Sequence, residues 1–254
     1  MNIVVPVKLV PDLVEELSID PGGSSLDTAW LRMIINEFDD HAIEQAILIK
    51  EQTGAHVTVL STNLEGVDDL LFTAAAKGAD RLIRLNGDIE GGVSNHALAR
   101  AMTNLLRDLK PDLILTGVQA HDDLDGTLGP QLAEHLGMPY IGYIAGVTVQ
   151  GDKAIVRKEY PGGLIGEMQV SLPAVLGIQA SEQPPRYVAI SKVRQMMKTM
   201  TVEEMELGQL DSSGAPQVNR MFQPEATSRA TMLSDNPDDA AAQLIDILKE
   251  IGVL

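Results

Sequence analysis

The amino-acid sequence predicts an α/β protein with a doubly wound parallel sheet, an added β-hairpin region and a C-terminal arm that ends in a helix. Over residues 1–145, short apolar runs alternate with segments of helical periodicity, as in parallel sheets whose strands are connected by helices. The chain is 44% hydrophobic but only 3% aromatic, so Leu, Ile, Val and Ala must form its core. Its 254 residues suit one large domain with extensions.

The predicted strands of this first part are short apolar or β-branched runs. They span residues 3–7, 56–61, 82–85 and 113–116. The predicted helices show apolar residues at spacings of three and four, with serine or glycine at several of their ends. They span residues 40–53, 67–77, 94–109 and 127–136. In a sheet of this kind, ligands bind outside the carboxyl ends of the strands, where the strand order reverses.

After residue 145 the pattern changes to consecutive strands. Residues 147–149 and 154–157 flank Gln150-Gly151-Asp152-Lys153, which predicts a β-hairpin with a tight loop. Residues 164–171 and 174–179 are further predicted strands. Pro184-Pro185-Arg186 then marks a turn into a polar helix that ends near Lys198.

The last part of the chain has the composition of an arm followed by a helix. Residues 211–228 are rich in Ser, Gly, Pro, Asn and Gln, and Asn236 and Pro237 are typical of a helix start. The helix carries an apolar stripe that must pack against something, either this domain or another subunit, and the second is favoured. We therefore divide the chain into an α/β domain, residues 1–210, and an arm with a terminal helix, residues 211–254.

Composition excludes several classes of function. Acidic residues outnumber basic ones by 36 to 19, for a net charge of −17, which disfavours nucleic acid as a partner. The lack of cysteine excludes disulfides and thiolate chemistry and is compatible with a reducing compartment. The apolar N-terminal run is too short to span a bilayer, so we expect a cytoplasmic protein that is not itself a membrane protein. Histidines without metal-ligand spacing, and the absence of Walker, GxGxxG or nucleophile-elbow patterns, disfavour an enzyme.

The loop after the strand at residues 113–116 is the best candidate for a ligand site. It leads directly into a helix, which places free backbone N–H groups and the positive end of a helix dipole where an anion could bind. Gly117 and Gly126 would allow close backbone approach, and Thr127 offers a hydroxyl. Asp123 and Asp125 count against a phosphate unless they point away from it. An ordinary strand–helix connection is the alternative interpretation.

Seven motifs, in order along the chain, resemble those of the electron-transfer flavoprotein beta (small) subunit family. They are Val5-Pro6-Val7-Lys8-Leu9-Val10-Pro11-Asp12, Asn36-Glu37-Phe38-Asp39, Lys77-Gly78-Ala79-Asp80-Arg81, the loop at 117–129, Arg157-Lys158-Glu159 with Gly162-Gly163, Pro185-Arg186-Tyr187, and Arg229-Ala230-Thr231-Met232. The resemblance covers nearly the whole chain. It implies an adenine-nucleotide-binding α/β domain that forms a heterodimer with a larger alpha subunit.

The resemblance also implies ligands and partners. The alpha subunit would hold FAD, and this chain would bury a structural AMP without catalytic residues of its own. The heterodimer would accept electrons from flavin-dependent dehydrogenases, such as acyl-CoA dehydrogenases, and pass them to an acceptor such as a membrane quinone oxidoreductase. The implied AMP-binding residues are Pro6, Asn36, Glu37, Phe38, Asp39, Thr62, Gly117, Val118, Gln119, Ala120, Asp122, Asp125, Gly126, Thr127 and Leu128. Leu13 matches a position close to the partner's flavin ring.

The implied partner-binding residues are Glu159, Arg186, Tyr187 and Ile190. Ile190 stands where the family places a leucine that inserts into a pocket of the dehydrogenase, and Glu159 matches a carboxylate that contacts an arginine of the partner. The alternative for Ile190 is packing under the following helix against Val193.

The sequence departs from the family pattern in the loop. Many AMP-binding members have Asn-Gln-Thr where this chain has Gly126-Thr127-Leu128. Electron-bifurcating members, which bind a second FAD in place of AMP and oxidise NADH, share Asp122 and Gly129-Pro130 but have Gly and Thr in place of Asp123 and Asp125. A second FAD is therefore disfavoured but stays an alternative, and a stand-alone nucleotide-binding protein is a third.

Overall fold

Runs of Ile, Val and Leu form the buried centre of the structure, a computed structural model that describes residues 1–88, 93–123, 125–224 and 230–254. Leu124 of the predicted loop and Arg229 of the predicted C-terminal motif lie outside the described residues. In chain order the elements are β1 (Asn2–Val7), β2 (Leu9–Pro11), β3 (Met33–Ile35), α1 (Glu37–Thr53), β4 (His56–Thr62), α2 (Val67–Lys77), β5 (Arg81–Asn86), α3 (Asn95–Leu109), β6 (Leu113–Gly117), α4 (Leu128–Leu136), β7 (Tyr140–Gln150), β8 (Lys153–Tyr160), β9 (Leu164–Ser171), β10 (Ala174–Ile178), α5 (Ile190–Thr199), β11 (Val202–Glu206) and α6 (Pro237–Glu250). The chain divides into two compact units, Met1–Asn219 and Arg220–Leu254.

Among the described residues, nine strands form one sheet in the order β11-β5-β4-β1-β6-β10-β7-β8-β9. The strands from β11 to β7 pair in parallel, whereas β7, β8 and β9 pair antiparallel. The chain builds outward from β1 through β4 and β5 and then crosses to β6 on the other side of β1. The strand order therefore reverses between β1 and β6. This arrangement confirms the predicted doubly wound sheet with an added β-hairpin region.

Alternate side chains of the strands feed two apolar layers, one on each face of the sheet. On β1, Ile3 and Val5 belong to the layer that includes Ile43 of α1 and Leu71 of α2. Val4 belongs to the opposite layer, which contains residues of α3 and α4 such as Leu106 and Leu132. Because both faces are covered by helices, the central strands are apolar throughout rather than alternating.

Three strands, β2, β3 and β11, are not predicted by the sequence pattern. β2 and β3 have three residues each, too few to show periodicity, and they pair antiparallel with each other. β11 carries acidic side chains that suggest a solvated segment. In the structure Arg81 donates two hydrogen bonds to Glu203, and Arg84 pairs with Glu204, so arginines of β5 compensate two of the three glutamates of this edge strand.

The helix α1 begins at Glu37, three residues before its predicted start. Its first turn holds Glu37, Asp39 and Asp40, and carboxylates in that position are stabilised by the positive end of the helix dipole. α2 has the predicted bounds, Val67–Lys77. The earlier start of α1 places residues 36–39, which the resemblance implies in nucleotide binding, at the N-terminus of this helix.

The second unit ends in the predicted helix, α6. The Asn236 side chain accepts hydrogen bonds from the backbone N–H groups of Asp238 and Asp239, and Pro237 occupies the first turn. Leu244 and Ile245 of α6 are about half exposed. No helix in the described part of the chain is both long and apolar enough to cross a bilayer.

Candidate functional site

The reversal of strand order places the carboxyl ends of β1 and β6 side by side. In doubly wound folds the crevice at such a reversal is the usual ligand site. Three segments meet there: Lys8 after β1, residues 36–39 at the start of α1, and the loop that follows Gly117 at the end of β6. Hydrogen bonds between side chains and backbone hold these segments together.

Asp39 joins the two strand ends. Its carboxylate accepts a hydrogen bond from the backbone N–H of Lys8 at 2.9 Å and another from that of Gly117 at 3.0 Å. Burial raises the pKa of Asp39 to about 7, although these backbone hydrogen bonds act in the opposite direction. A side chain at Gly117 would collide with this carboxylate, so the position needs glycine for internal packing. The carboxylate of Asp39 thus occupies the space that a Cβ atom at position 117 would need.

Asn36 fixes the loop after β6. Its side chain is buried and does not cap α1. Its Nδ2 atom instead donates a hydrogen bond to the backbone carbonyl oxygen of Gln119 at 2.9 Å. His121, in the same loop, connects the loop to β2, because its Nε2 atom lies 2.8 Å from the backbone carbonyl oxygen of Pro11. This distance indicates that Nε2 carries the proton and donates it.

Lys8 supplies the positive charge of the crevice. Its Nζ atom lies 2.8 Å from Asp122 Oδ1 and 2.9 Å from Asp123 Oδ1. Burial by itself would lower the pKa of Lys8, but the two carboxylates raise it above its ordinary value. Asp123 also accepts a hydrogen bond from the backbone N–H of Ala120 at 3.2 Å. Asp122 and Asp123 of the loop are therefore turned towards a lysine that the sequence pattern did not single out.

Asp125 occupies the start of α4. Its Oδ1 accepts hydrogen bonds from Asn95 Nδ2 at 3.0 Å and from the backbone N–H of Thr127 at 3.2 Å, and its Oδ2 lies 3.7 Å from His96 Nδ1. Burial alone would raise the pKa of Asp125, but these neighbours hold it below its usual range. A carboxylate therefore lies just before the N-terminus of α4, where it opposes the binding of a second anion.

The predicted cofactor residues occupy several places. Asn36, Glu37, Phe38, Asp39, Gly117, Val118, Gln119, Ala120 and Asp122 lie in the segments that border the crevice. Asp125, Gly126, Thr127 and Leu128 lie at the start of α4. Pro6 is buried in β1, next to its end, and Thr62 ends the neighbouring strand β4. Leu13 lies apart, after β2, with 60% of its surface exposed.

Two polar residues at this edge of the sheet are not predicted by the sequence, Lys8 and Thr116. Thr116, on β6, is buried, and its Oγ1 has no hydrogen-bond partner within the described residues. The signal for Lys8 was available, because it is a basic residue directly after a buried strand at the ligand edge of the sheet. The signal for Thr116 was its hydroxyl one residue before Gly117.

The predicted partner residues differ in their surroundings. Tyr187 and Ile190 are 87% and 66% exposed, and Glu159 is exposed near the end of β8. Arg186 instead binds two carboxylates of α1, those of Glu44 and Glu51. The structure thus groups Tyr187 and Ile190 at an exposed corner before α5 and turns Arg186 inward.

Fold and site together define a doubly wound α/β protein in which three polar, hydrogen-bonded segments meet at the reversal of its strand order. No cluster of His, Cys, Asp or Glu that could hold a metal ion occurs in the described ranges. A family model described as the electron transfer flavoprotein domain matches residues 26–210. The chain belongs to the electron transfer flavoprotein family, as a beta-subunit member, which confirms the resemblance seen in its motifs.

Similar proteins cover the chain almost from end to end. The electron transfer flavoprotein subunit beta of Methylophilus methylotrophus is 34% identical, and that of Clostridium acetobutylicum is 32% identical, each with 98% of both chains covered. The Caffeyl-CoA reductase-Etf complex subunit CarD of Acetobacterium woodii is 29% identical, with 100% of both chains covered.

Proposed function

We propose that this chain is the beta subunit of a heterodimeric electron-transfer flavoprotein, a carrier rather than an enzyme with its own substrate. Similarity over 98% of the chain to proteins named as beta subunits carries the proposal. A larger alpha subunit would hold most of the contacts to the redox-active FAD. The heterodimer would take electrons from flavin-dependent dehydrogenases, such as acyl-CoA dehydrogenases, and pass them to an acceptor such as a membrane quinone oxidoreductase. We place it in the cytoplasm, in keeping with a chain that lacks cysteine.

AMP is the ligand we propose for the crevice between β1 and β6. The position at the strand reversal supports a ligand there, and a phosphate of AMP would replace Asp122 or Asp123 as the partner of Lys8. The start of α4 fits a phosphate poorly, because the carboxylate of Asp125 lies there and already accepts the hydrogen bond of the Thr127 N–H. The residues that would hold AMP are therefore Lys8, those at 36–39 and the first part of the loop after Gly117.

The experiment that tests this proposal is a count of cofactors in the purified heterodimer. Acid extraction and chromatography should release about one FAD and about one AMP per heterodimer. Release of no adenine nucleotide besides FAD would exclude the AMP proposal while leaving the carrier proposal in place. Failure of the chain to form a heterodimer with any alpha subunit would contradict the carrier proposal itself.

The alternative function is an electron-bifurcating complex with a second FAD in this subunit and with NADH as donor. The similarity to a subunit of a complex named Caffeyl-CoA reductase-Etf favours it. Gly129, which the sequence shares with bifurcating members, has an internal reason to be glycine, because its Cβ would lie 2.8 Å from Thr116 Oγ1 and 3.0 Å from the Tyr140 ring. Two FAD per heterodimer, together with bleaching of flavin by NADH, would establish this alternative.

The arm and α6, residues 211–254, are proposed to wrap the alpha subunit. Half-exposed Leu244 and Ile245 on a well-capped helix support this role. A chain that ends at Asn219, the last residue of the first compact unit, should unfold cooperatively but should no longer copurify with the alpha subunit. Normal copurification of the shortened chain would rule out this role for residues 220–254.

A further inference from the structure

The segment at 181–186, here called the anchored segment, is bound along one face of α1. His41 Nδ1 lies 2.9 Å from Ser181 Oγ, and Gln45 Oε1 accepts a hydrogen bond from the backbone N–H of Glu182 at 3.2 Å. Residues 41, 44 and 45 are three and four positions apart and therefore share a face of the helix. Glu44, the third of them, binds the last residue of the segment, Arg186.

Arg186 makes the strongest of these contacts. Its Nε and Nη2 atoms donate to Glu44 Oε1 at 2.9 and 2.8 Å, and its backbone N–H donates to Glu44 Oε2 at 2.9 Å. Its Nη1 atom donates to Glu51 Oε1 at 2.6 Å. Glu44 is only 2% exposed, so its charge depends on this guanidinium for compensation. One glutamate of α1 thus holds both the backbone and the side chain of Arg186.

Immediately after this anchor the chain becomes exposed. Tyr187 and Ile190 face solvent, and Ile190 is the first residue of α5. Further along the same helix, Val193 and Met196 are partly buried against the apolar layer of α1 and α2. The exposed corner at 187–190 is therefore held on both sides, by Arg186 before it and by the packed face of α5 after it.

We infer that Arg186 and Glu44 are positioning residues for docking of the electron donor. Arg186 acts through the corner at 187–190 and does not itself touch the donor, because its guanidinium is already engaged by two carboxylates of its own chain. The inference rests on the proposed function, in which Ile190 contacts a dehydrogenase. Ile190 would make the contact with the dehydrogenase, whereas Arg186 and Glu44 would hold Ile190 in place for that contact.

The test uses the heterodimer, an acyl-CoA dehydrogenase with its acyl-CoA substrate, and steady-state rates at varied heterodimer concentration. Arg186→Gln and Glu44→Gln should each raise the KM for the heterodimer by about tenfold. Both should leave kcat and FAD content unchanged, because a fixed corner aids encounter rather than the transfer step. The control is Arg81→Gln, because Arg81 makes a similar paired contact with Glu203 at the far edge of the sheet and, like Arg186, has a side chain 30% exposed. It should leave the KM unchanged.

A double-variant comparison decides between positioning and direct contact. In an Ile190→Ala background, Arg186→Gln should raise the KM by less than about twofold, because the residue it places is gone. An equal rise in both backgrounds would overturn the inference and make Arg186 a donor contact. If Ile190→Ala by itself leaves the KM unchanged, the proposed docking site fails, and the inference fails with it.

A double variant distinguishes a loss of positioning from a folding defect, which could also raise the KM. Removal of Arg186 alone leaves Glu44 as an uncompensated buried charge, whereas the pair Glu44→Gln with Arg186→Gln does not. This pair should melt at nearly the wild-type temperature and still show the raised KM. Hydrogen exchange of the backbone at 187–193 should also be several times faster than in the Arg81→Gln control. A wild-type KM with unaltered exchange in the double variant would overturn the inference.

Discussion

The crevice between β1 and β6 and the corner at 187–190 use their side chains in opposite ways. In the crevice, Asp39 and Lys8 are bound within the chain, to backbone N–H groups and to carboxylates respectively. At the corner, Tyr187 and Ile190 are exposed and only the residue before them is held. A substitution in the crevice should therefore cost stability as well as binding, whereas one at the corner should change function alone.

The largest expected effect is that of Asp39→Ala. The substitution leaves the backbone N–H groups of Lys8 and Gly117 without their acceptor, which should lower the free energy of unfolding at pH 5 by about 3 kcal/mol. Urea denaturation followed by circular dichroism measures this loss. Asp69→Asn, an exposed carboxylate in the first turn of α2, is the control and should change stability by less than about 0.5 kcal/mol. Equal stability of the two variants would mean that Asp39 does not join the strands.

The pH dependence of stability sharpens this interpretation. The pKa of Asp39 is raised from 3.8 to about 7 in the folded chain, so between these values the folded state binds more protons than the unfolded state. The stability that this group contributes is complete below pH 4 and is lost as the pH rises towards 7. The difference in unfolding free energy between wild type and Asp39→Ala should thus shrink between pH 5 and 7, by at most about 1.4 kcal/mol per pH unit. A difference that grows with pH would contradict the raised pKa.

Ile190→Ala is expected to act on function alone. Burial of an exposed aliphatic side chain at an interface contributes about 1.5–3 kcal/mol, and 1.4 kcal/mol corresponds to a factor of ten. Electron transfer from an acyl-CoA dehydrogenase should therefore slow by about tenfold, with unchanged flavin content and melting temperature. Loss of stability with a normal transfer rate would place Ile190 in the core of the domain.

The smallest effect is expected at the start of α4. Asp125→Asn removes a negative charge at the start of α4, at the far end of the loop that borders the proposed AMP site, while it keeps an oxygen that can accept from Thr127. AMP should bind about fivefold more tightly, because like charges no longer repel. Equilibrium dialysis of AMP against nucleotide-free heterodimer measures the change, and Asp108→Asn, exposed in the last turn of α3, serves as the control. Unchanged affinity would mean that the phosphate lies far from Asp125.

Local sequence patterns were enough to predict many of the secondary-structure elements of this protein. The bounds of α2, the serine cap of α3, the alternation of strands and helices and the loop that leads from β6 into α4 could all be predicted from the sequence. Periodicity and capping depend on residues a few positions apart, so they can be read from the chain without its fold.

Only the tertiary structure decided which charges meet. Lys8 binds Asp122 and Asp123 from 114 and 115 positions away, and Arg186 binds Glu44 across 142 positions. The acidic strand β11 is stabilised in the same way, by arginines of β5 that lie 122 and 120 positions earlier. Such pairs depend on the order of strands and the packing of helices, which bring distant segments within hydrogen-bond distance. The sequence shows each of these charges but not its partner. The resemblance could therefore imply Arg186 as a partner-binding residue without showing that the fold pairs it with the buried Glu44.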